Sequence, residues 1–439
     1  MEDYINMRYK SNSFSIFLFF SLYLILPSYF AIELSPSLPL ITVSRIVLLI
    51  CFFNIVRTDY GKMKIPYFTW NIKWYFILIF LVNVLHIYDT GVTAINQCIV
   101  IFIEQFLVFW IIIYLIDNRY KFYLALEILL GSSAVVAIIS IIGFIFNTNF
   151  FYLLKTVNRV MTQAGITDIG YRNGLLRIEA GFGHPVYYAM YCSIMIFIAL
   201  HMFNHNRGKN RGKNFIYLFL NIVALLLTNS RGAILAVFVT FFISFFINGQ
   251  KERRKYLKVI LFIILIAIII LIFSENIRLY VISIIQSLYV YFGFSSNISA
   301  NFGANTSFFN DRLMQFTGII WTFKQAPWIG FGANANGQGL IKYYYSGVWY
   351  TANSFDVGYV EIICSYGSMG LVAFLSLWKE IRNKLKMLSH SDDIIMLKNI
   401  FIVYFLCMFS VVNIDKVFWI IFGLLVAYSN VIQTENETL

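Results

Sequence analysis

Arg231 stands in the middle of an apolar run that begins near Phe215 and ends near Ile247. A charged side chain within such a run is costly and commonly functional. The planar guanidinium of arginine binds phosphate oxygens two at a time, which the ammonium of lysine cannot do. Arg231 therefore has two interpretations: a ligand for a phosphate-bearing substrate, or an anchor to the headgroups of ordinary phospholipids.

Two other patterns could indicate nucleotide or metal chemistry, and neither has the residues that such sites need. The glycines between Gly330 and Gly339 follow no predicted strand and have no P-loop lysine, so nucleotide binding is not expected. We expect Gly330 and Gly332 instead to let the backbone approach a substrate closely. The outward carboxylates are dispersed, which predicts a reaction without a metal or other cofactor; they are Asp168, Glu179, Glu275, Asp311 and Asp356.

The composition identifies the surroundings in which the chain folds. Hydrophobic residues make up 60% of the 439 residues and charged residues only 12%, against about 25% charged in typical soluble proteins. The apolar residues form blocks of roughly 17–25 residues, the length that a helix needs to cross a bilayer. We predict an all-α polytopic membrane protein, a single transmembrane domain over 1–439. The predicted spans are 14–31, 38–56, 73–88, 95–116, 122–146, 185–203, 215–229, 231–247, 258–274, 355–377, 399–413 and 417–433.

Basic residues concentrate on alternate connecting segments, which predicts that both termini are cytoplasmic. The run that contains Arg231 has a basic cluster on each side, NRGKNRGKN (206–214) and QKERRK (250–255). Both clusters stay inside only if the run is a helical hairpin with Thr228 to Gly232 at its outer tip. Arg231 then lies at the outer membrane surface, and we expect the interior of the bundle to be nearly free of charge.

Two predicted outer loops, 147–184 and 275–354, are much longer than the others. They are rich in aromatic residues and contain no charge runs, so we expect them to fold over the outer face, partly as short interfacial helices. Arginines outnumber lysines on the outer segments, whereas lysines dominate inside. The outer arginines predict a diphosphate on a lipid as the ligand; they are Arg159, Arg172, Arg177, Arg231, Arg278 and Arg312.

Four segments between about 170 and 375 combine arginine, glycine or asparagine with the start or end of a predicted helix. They are Arg177 with Gly181 and Pro185, TNSRGA (228–233), Asp311-Arg312 with Trp321, Pro327, Gly330 and Gly332, and Asn353-Ser354 with Gly367 and Gly370. In their order and spacing these segments resemble the O-antigen ligase and polymerase superfamily, the Wzy-type enzymes. The number of predicted spans and the cytoplasmic termini are similar to that family as well.

The resemblance implies a glycosyltransferase of the bacterial plasma membrane whose site faces outward. Its substrates would be oligosaccharide repeat units on undecaprenyl diphosphate, and the growing chain would move to a sugar hydroxyl of the next unit. The implied partners are membrane lipids and the flippase and chain-length regulator of the same pathway. A nucleic-acid partner is not needed to explain the net charge of +12, because the basic residues match anionic lipids of the inner leaflet.

That reaction requires a neutralised diphosphate, a proton acceptor and two aligned sugars. With the resemblance, Arg231 and Arg312 are the first candidates for the diphosphate, and Arg177 is the third. Asn353 and Ser354, with the two glycines Gly330 and Gly332, are predicted to contact the substrate.

The proton acceptor has two candidates. His184 is one because histidine titrates near neutral pH, although His184 and Pro185 could equally cap the helix that follows. Asp356 is the other, and we expect it on the same helical turn as Asn353. Glu361, within an apolar stretch, is either functional or held by a buried hydrogen bond.

Two alternatives to a polymerase remain. In the family that this chain resembles, ligases have a histidine just before the asparagine of the last segment. This chain has Ala352 at that position, which favours a polymerase over ligase-like transfer to another acceptor. A flippase for lipid-linked oligosaccharide would place charges in a central cavity. The predicted spans concentrate their polar chemistry outside, which favours transfer over transport.

Overall fold

The structure is a computed structural model. It describes residues 13–35, 38–58, 68–158, 170–172, 175–205, 210–247, 307–333, 335–352, 354–388, 393–411 and 415–438, together with 261, 265 and 268.

The described residues are mostly helical, as the apolar blocks predict. We number the main helices in chain order: α1 Ser13–Leu22, α2 Val43–Thr58, α3 Trp70–Leu85, α4 Val92–Leu115, α5 Arg119–Ile145, α6 Pro185–His205, α7 Asn210–Leu227, α8 Arg231–Ile247, α9 Ser307–Gln325, α10 Gly358–Met387, α11 Ile394–Cys407 and α12 Lys416–Thr438.

Among the described residues, five helices are long and apolar enough to cross a membrane: α4, α5, α6, α10 and α12. Helices α1, α3, α8 and α11 are shorter apolar helices. A multi-pass helical membrane protein is therefore confirmed, whereas the number of twelve crossings and the cytoplasmic termini stay predictions. The predicted span 258–274 lies outside the described residues, apart from Leu261, Leu265 and Ile268.

The prediction of a purely helical fold is incomplete, because the described residues include three small antiparallel sheets between helices. Strands β1 (Ala31–Ile32) and β2 (Ile41–Thr42) pair between α1 and α2, and β3 (Tyr171–Arg172) pairs with β4 (Leu175–Leu176) in the first long loop. Strands β5 (Lys342–Tyr345) and β6 (Val348–Thr351) form a hairpin in the second long loop. Helix α1 ends well before the predicted residue 31, and Pro27 explains why a helix cannot run through this region.

Two hydrophobic cores organise the part of the chain that the structure describes. The larger core joins the apolar helices. The smaller core lies under α9 and the β5–β6 hairpin and includes Tyr343, Ala352 and Phe355. Gly318 of α9 lets the hairpin pack closely, because a Cβ there would lie 2.9 Å from the Tyr343 ring. The second long loop thus shares a packed core with the start of α10. Its helix α9 is longer than the short interfacial helices that we expected.

Helix α10 is broken at Gly367, which has φ 60° and ψ −148°. The segment from Pro327 to Gly332 docks at this break and pairs with the backbone groups that the break releases. The hydrogen bonds run from Phe331 N to Cys364 O (3.0 Å), from Gly332 N to Ser365 O (2.9 Å), from Ser368 N to Pro327 O (2.9 Å) and from Met369 N to Trp328 O (3.0 Å). Non-helical backbone within a membrane bundle requires such internal partners, so the break and the docked segment depend on each other.

The expectation of a nearly uncharged bundle interior is wrong in one region. Arg45 of α2 donates through Nε to Glu104 of α4 at 2.8 Å, and both side chains are largely buried. Glu104 lies in a π-helical stretch, Ile101–Leu107, within α4. A carboxylate inside the bundle persists because a guanidinium compensates its charge at short range.

Candidate functional site

The corner between α7 and α8 is the centre of the candidate site. Helix α7 ends at Leu227, and α8 begins at Arg231, so the predicted helix break is observed. Asn229 has a left-handed backbone (φ 54°), which asparagine tolerates better than most residues. The amide of Ile234 donates to Ser230 O at 3.1 Å, which makes Ser230 the first acceptor of α8. The start of α8 is therefore a partly positive helix end suited to anions.

Arg177 reaches this corner from the first long loop. Its Nε donates to Thr228 O at 3.1 Å, and the amide of Ile178 donates to Leu227 O at 3.3 Å. The loop backbone is thereby attached to the end of α7. This attachment brings a guanidinium to the first residue of the corner across 51 positions of the sequence.

Arg312 reaches the same corner from α9. Its Nη1 donates to Ser410 Oγ, just beyond the end of α11, at 2.9 Å. A Cβ on Gly232 would lie 2.1 Å from that Oγ and 3.9 Å from Arg312 Nη1. The absence of a side chain at Gly232 thus lets Ser410 and Arg312 approach the first turn of α8.

The structure therefore brings together the three arginine segments that the sequence predicts for a diphosphate. Arg177 contacts one end of the Thr228–Gly232 corner, and Arg312 lies against the other end. Arg231 belongs to the corner itself, as the first residue of α8, and is partly exposed. We call this group the arginine corner. Arginine side chains beside a positive helix end suit a ligand with several negative charges, and the diphosphate at this corner stays a prediction.

Glu179 lies two residues after Arg177 and is buried. It accepts hydrogen bonds from the Tyr152 hydroxyl and from Asn149 Nδ2. Burial raises the pKa of Glu179, and this effect outweighs the hydrogen bonds and the charge of Arg177, which act in the opposite direction.

His184 is exposed, and its Nδ1 accepts from Val186 N at 3.2 Å. This bond caps the start of α6, as the structural interpretation of His184 and Pro185 predicts. The structure thus gives His184 a capping contact, and a role as proton acceptor stays a prediction.

Asp356 is exposed and is held by Gln315 of α9. Gln315 Nε2 donates to Asp356 Oδ2 at 3.1 Å, and Asp356 N donates to Gln315 Oε1 at 2.8 Å. Since Gln315 is one turn after Arg312, Asp356 lies along the same stretch of α9. The expected helical turn at Asp356 is wrong, because α10 begins only at Gly358. Asn353 lies outside the described residues.

The other predicted substrate contacts have identifiable packing roles. The Ser354 carbonyl accepts from the Tyr343 hydroxyl at 3.0 Å. A Cβ on Gly330 would lie 2.6 Å from Gly367 N, and a Cβ on Gly332 would lie 3.0 Å from His86 Cγ. The backbone at these two glycines thus approaches α10 and His86 closely. This packing explains why both residues are glycine, without a bound ligand. Their contact with substrate stays a prediction.

Sequence reasoning missed Ser410 and Gln315, which hold Arg312 and Asp356. Gln315 had a usable signal, because it is three residues after Arg312 on a helix. Ser410 had only the weak signal of a polar residue at the end of an apolar span. Among the described residues, no cluster of three or more His, Cys, Asp or Glu side chains could hold a metal ion, and metal independence stays a prediction.

The segment that contains the corner between α7 and α8 matches one family of known proteins. Residues 216–375 match the family described as O-antigen ligase. The matched segment begins in α7, ends in α10 and includes Arg231, Gly232 and Arg312. No curated protein matches the chain. Over residues 216–375 the chain is thus similar in sequence to the O-antigen ligase family, which is consistent with membership of that superfamily.

Proposed function

We propose that the protein is a polysaccharide polymerase. It transfers a growing glycan from undecaprenyl diphosphate to a sugar hydroxyl of the next lipid-linked repeat unit, at the outer leaflet of the bacterial plasma membrane. The family match supports a transferase that acts on polysaccharide. The observation that carries the proposal is the meeting of Arg177, Arg231 and Arg312 at one helix start.

In the proposed reaction, the bond between the anomeric carbon of the donor sugar and the diphosphate oxygen breaks. A new bond forms between that carbon and the acceptor hydroxyl oxygen, and the hydroxyl proton passes to a base. The arginine corner stabilises the diphosphate as it leaves, and Ser410 orients Arg312 for this task. Fixed donors that face the developing charge commonly contribute the largest share of catalysis.

Asp356 is the better supported of the two proton acceptors. Gln315 fixes its carboxylate beside the helix that carries Arg312. His184 Nδ1 is already used to cap α6. A base must lie within hydrogen-bond reach of the proton that it removes, and of the two groups Asp356 is the one tied to the Arg312 helix.

Ligase-like transfer to another acceptor is the second candidate, since the matched family is described as O-antigen ligase. Ligases of the resembling family have a histidine where this chain has Ala352. The Ala352 side chain cannot exchange a proton, and it is buried in the small core under α9. This position favours the polymerase.

The test replaces Arg231 by lysine. We expect Arg231→Lys to reduce chain formation on the order of a hundredfold, because a point charge cannot replace a bidentate donor. The matched control is Arg211→Lys, at the other end of α7, where the guanidinium packs over the Phe203 ring at 4.6 Å. Surface polysaccharide from cells that express each variant is separated on a gel, and the amount of membrane-inserted protein is measured alongside.

A full ladder with Arg231→Lys would refute the role of Arg231. Single repeats that accumulate on the lipid carrier would support the polymerase. Long chains that remain on the lipid carrier would support the ligase instead. Loss of the ladder with Arg211→Lys as well would mean that the lysine substitution acts through the fold and not through the site.

A further inference from the structure

A polar cavity of about 500 Å³ lies within the helical bundle, outside the arginine corner. Helices α3, α4, α6, α10 and α12 contribute to its wall. Its volume is within the ~300–1,000 Å³ range of small-molecule sites in proteins. Asp415, Lys416 and Tyr187 line it at or next to helix starts that are outer in the predicted topology, whereas Glu104 lines it near the middle of α4. The cavity therefore extends from the outer helix ends towards the middle of the bundle.

The polar groups of the cavity include both donors and acceptors. Gln97, Glu104 and Gln105 line it on α4, and Asp415 and Lys416 line it at the start of α12. Amides offer donor and acceptor atoms together, while carboxylates offer acceptors. Glu104 and Gln105 lie in the π-helical stretch of α4, and such stretches are frequent at functional sites because they change the direction of side chains.

The charges around the cavity are of both signs, unlike those of the arginine corner. Of the charged lining residues, Glu104 and Asp415 are acidic and Lys416 is basic. The nearby Arg45 binds Glu104 at 2.8 Å, and Lys416 Nζ donates to Ser44 Oγ at 3.1 Å. Because these opposite charges compensate one another, the cavity fits an uncharged polar ligand.

Aromatic side chains form much of the remaining wall. Tyr75, Tyr187, Tyr366 and Trp419 line the cavity beside the polar groups, and the Tyr75 hydroxyl donates to Gln105 Oε1 at 3.3 Å. Aromatic faces pack against apolar C–H surfaces, and tyrosine adds a polar tip. Sugars present C–H faces and hydroxyls that both donate and accept. The wall of this cavity therefore matches a saccharide on both counts.

The cavity also borders the segments that hold the candidate site. Tyr187 follows His184 by three residues, and the cavity-lining Ile362 follows Asp356 by six. Asp415 follows Ser410, the hydrogen-bond partner of Arg312, by five. Three segments that hold residues of the candidate site are thus close in sequence to residues that line the cavity. A substrate with a charged group at the arginine corner could place its sugars here.

We propose that this cavity binds a saccharide unit of a lipid-linked substrate, whose diphosphate lies at the arginine corner. The assignment rests on the proposed function and adds a sugar-binding site to it. Gln97 and Gln105 supply hydrogen bonds to sugar hydroxyls, and the tyrosines and Trp419 supply the packing surface. The saccharide belongs either to the donor or to the acceptor, which share this chemistry.

The experiment compares two probes on purified, nanodisc-embedded protein: undecaprenyl diphosphate, and the lipid-linked single repeat extracted from cells that lack the protein. We expect Gln97→Leu to weaken binding of the lipid-linked repeat about tenfold and to leave undecaprenyl diphosphate binding unchanged. The matched control is Asn221→Leu in α7, a buried amide that donates to Ser133 Oγ at 3.0 Å, away from the cavity. It should change the ratio of the two affinities by less than twofold.

Unchanged binding of both probes to Gln97→Leu would overturn the assignment, and so would an equal loss of both, because the cavity would then serve the fold and not the sugar. Failure of the unmodified protein to bind undecaprenyl diphosphate would refute the proposed function instead. Transfer kinetics identify the source of the sugar: a raised KM for the single repeat assigns the cavity to the acceptor, and a raised KM for the lipid-linked polymer assigns it to the donor. Either rise supports the saccharide site.

Discussion

Gly232→Ala tests how the arginine corner is assembled. The added Cβ would lie 2.1 Å from Ser410 Oγ and 2.9 Å from Ser410 Cβ. Both distances are shorter than a van der Waals contact, so Ser410 must turn its hydroxyl away or shift. Either movement breaks the 2.9 Å hydrogen bond that Arg312 donates to that hydroxyl. The substitution therefore acts on Arg312 without replacing any arginine.

The size of the effect follows from the lost bond. A hydrogen bond to a charged group contributes about 1.5–3 kcal/mol, and each ~1.4 kcal/mol changes a rate tenfold. If Ser410 orients Arg312 for the departing diphosphate, we expect Gly232→Ala to lower the transfer rate roughly ten- to hundredfold. Gly212→Ala in α7 is the matched control, because a Cβ there meets nothing within 4 Å.

The assay measures initial transfer rates of purified variants with a lipid-linked repeat as substrate, next to the polysaccharide ladder of whole cells. Ser410→Gly removes both the acceptor and the obstruction, and it should also lower the rate ten- to hundredfold. The combined variant Gly232→Ala/Ser410→Gly should then be as active as Ser410→Gly, because residues in contact do not contribute additively. A full rate for Gly232→Ala, or multiplied losses in the combined variant, would refute the reasoning.

Two further predictions concern stability, and thermal unfolding in detergent measures both. Gly367→Ala should lower the free energy of unfolding by about 3 kcal/mol, because the residue has φ 60° and an added Cβ would lie 2.5 Å from Gly330 N. An unchanged melting temperature would show that the break in α10 needs no glycine. Burial by itself would raise the pKa of Asp393. The hydrogen bonds to its carboxylate, above all that from His201, outweigh burial and hold this pKa below its ordinary value. Its stabilising contribution is therefore present above about pH 4 and is lost as the pH falls below that value. Asp393→Asn should lower the melting temperature by several degrees at pH 7 and by less at pH 3. Glu435→Gln, at the exposed ion pair with Arg119, should change it little at either pH; equal shifts from both variants would contradict this account.

Much of the fold could be predicted because hydrophobic blocks act locally. Each apolar block that lies in the described residues contains a helix, since backbone groups in a membrane must bond within their own segment. The corner at Thr228–Gly232 was predictable for the same reason: turn-forming residues interrupt one block, and basic clusters flank it on both sides. The early end of α1 was missed, although Pro27 in the sequence signals it.

What only the tertiary structure decided is which distant segments meet. Arg177 binds Thr228 across 51 positions, and Arg312 binds Ser410 across 98. Those contacts depend on the packing of two long loops, and no local periodicity encodes that packing. Gly330 and Gly332 show the same limit. Their residue type predicts that the backbone there approaches another group closely, but it does not predict that the broken helix α10 is that partner. Residue type and spacing determine elements through short-range sterics and solvation, whereas the site depends on long-range packing among those elements.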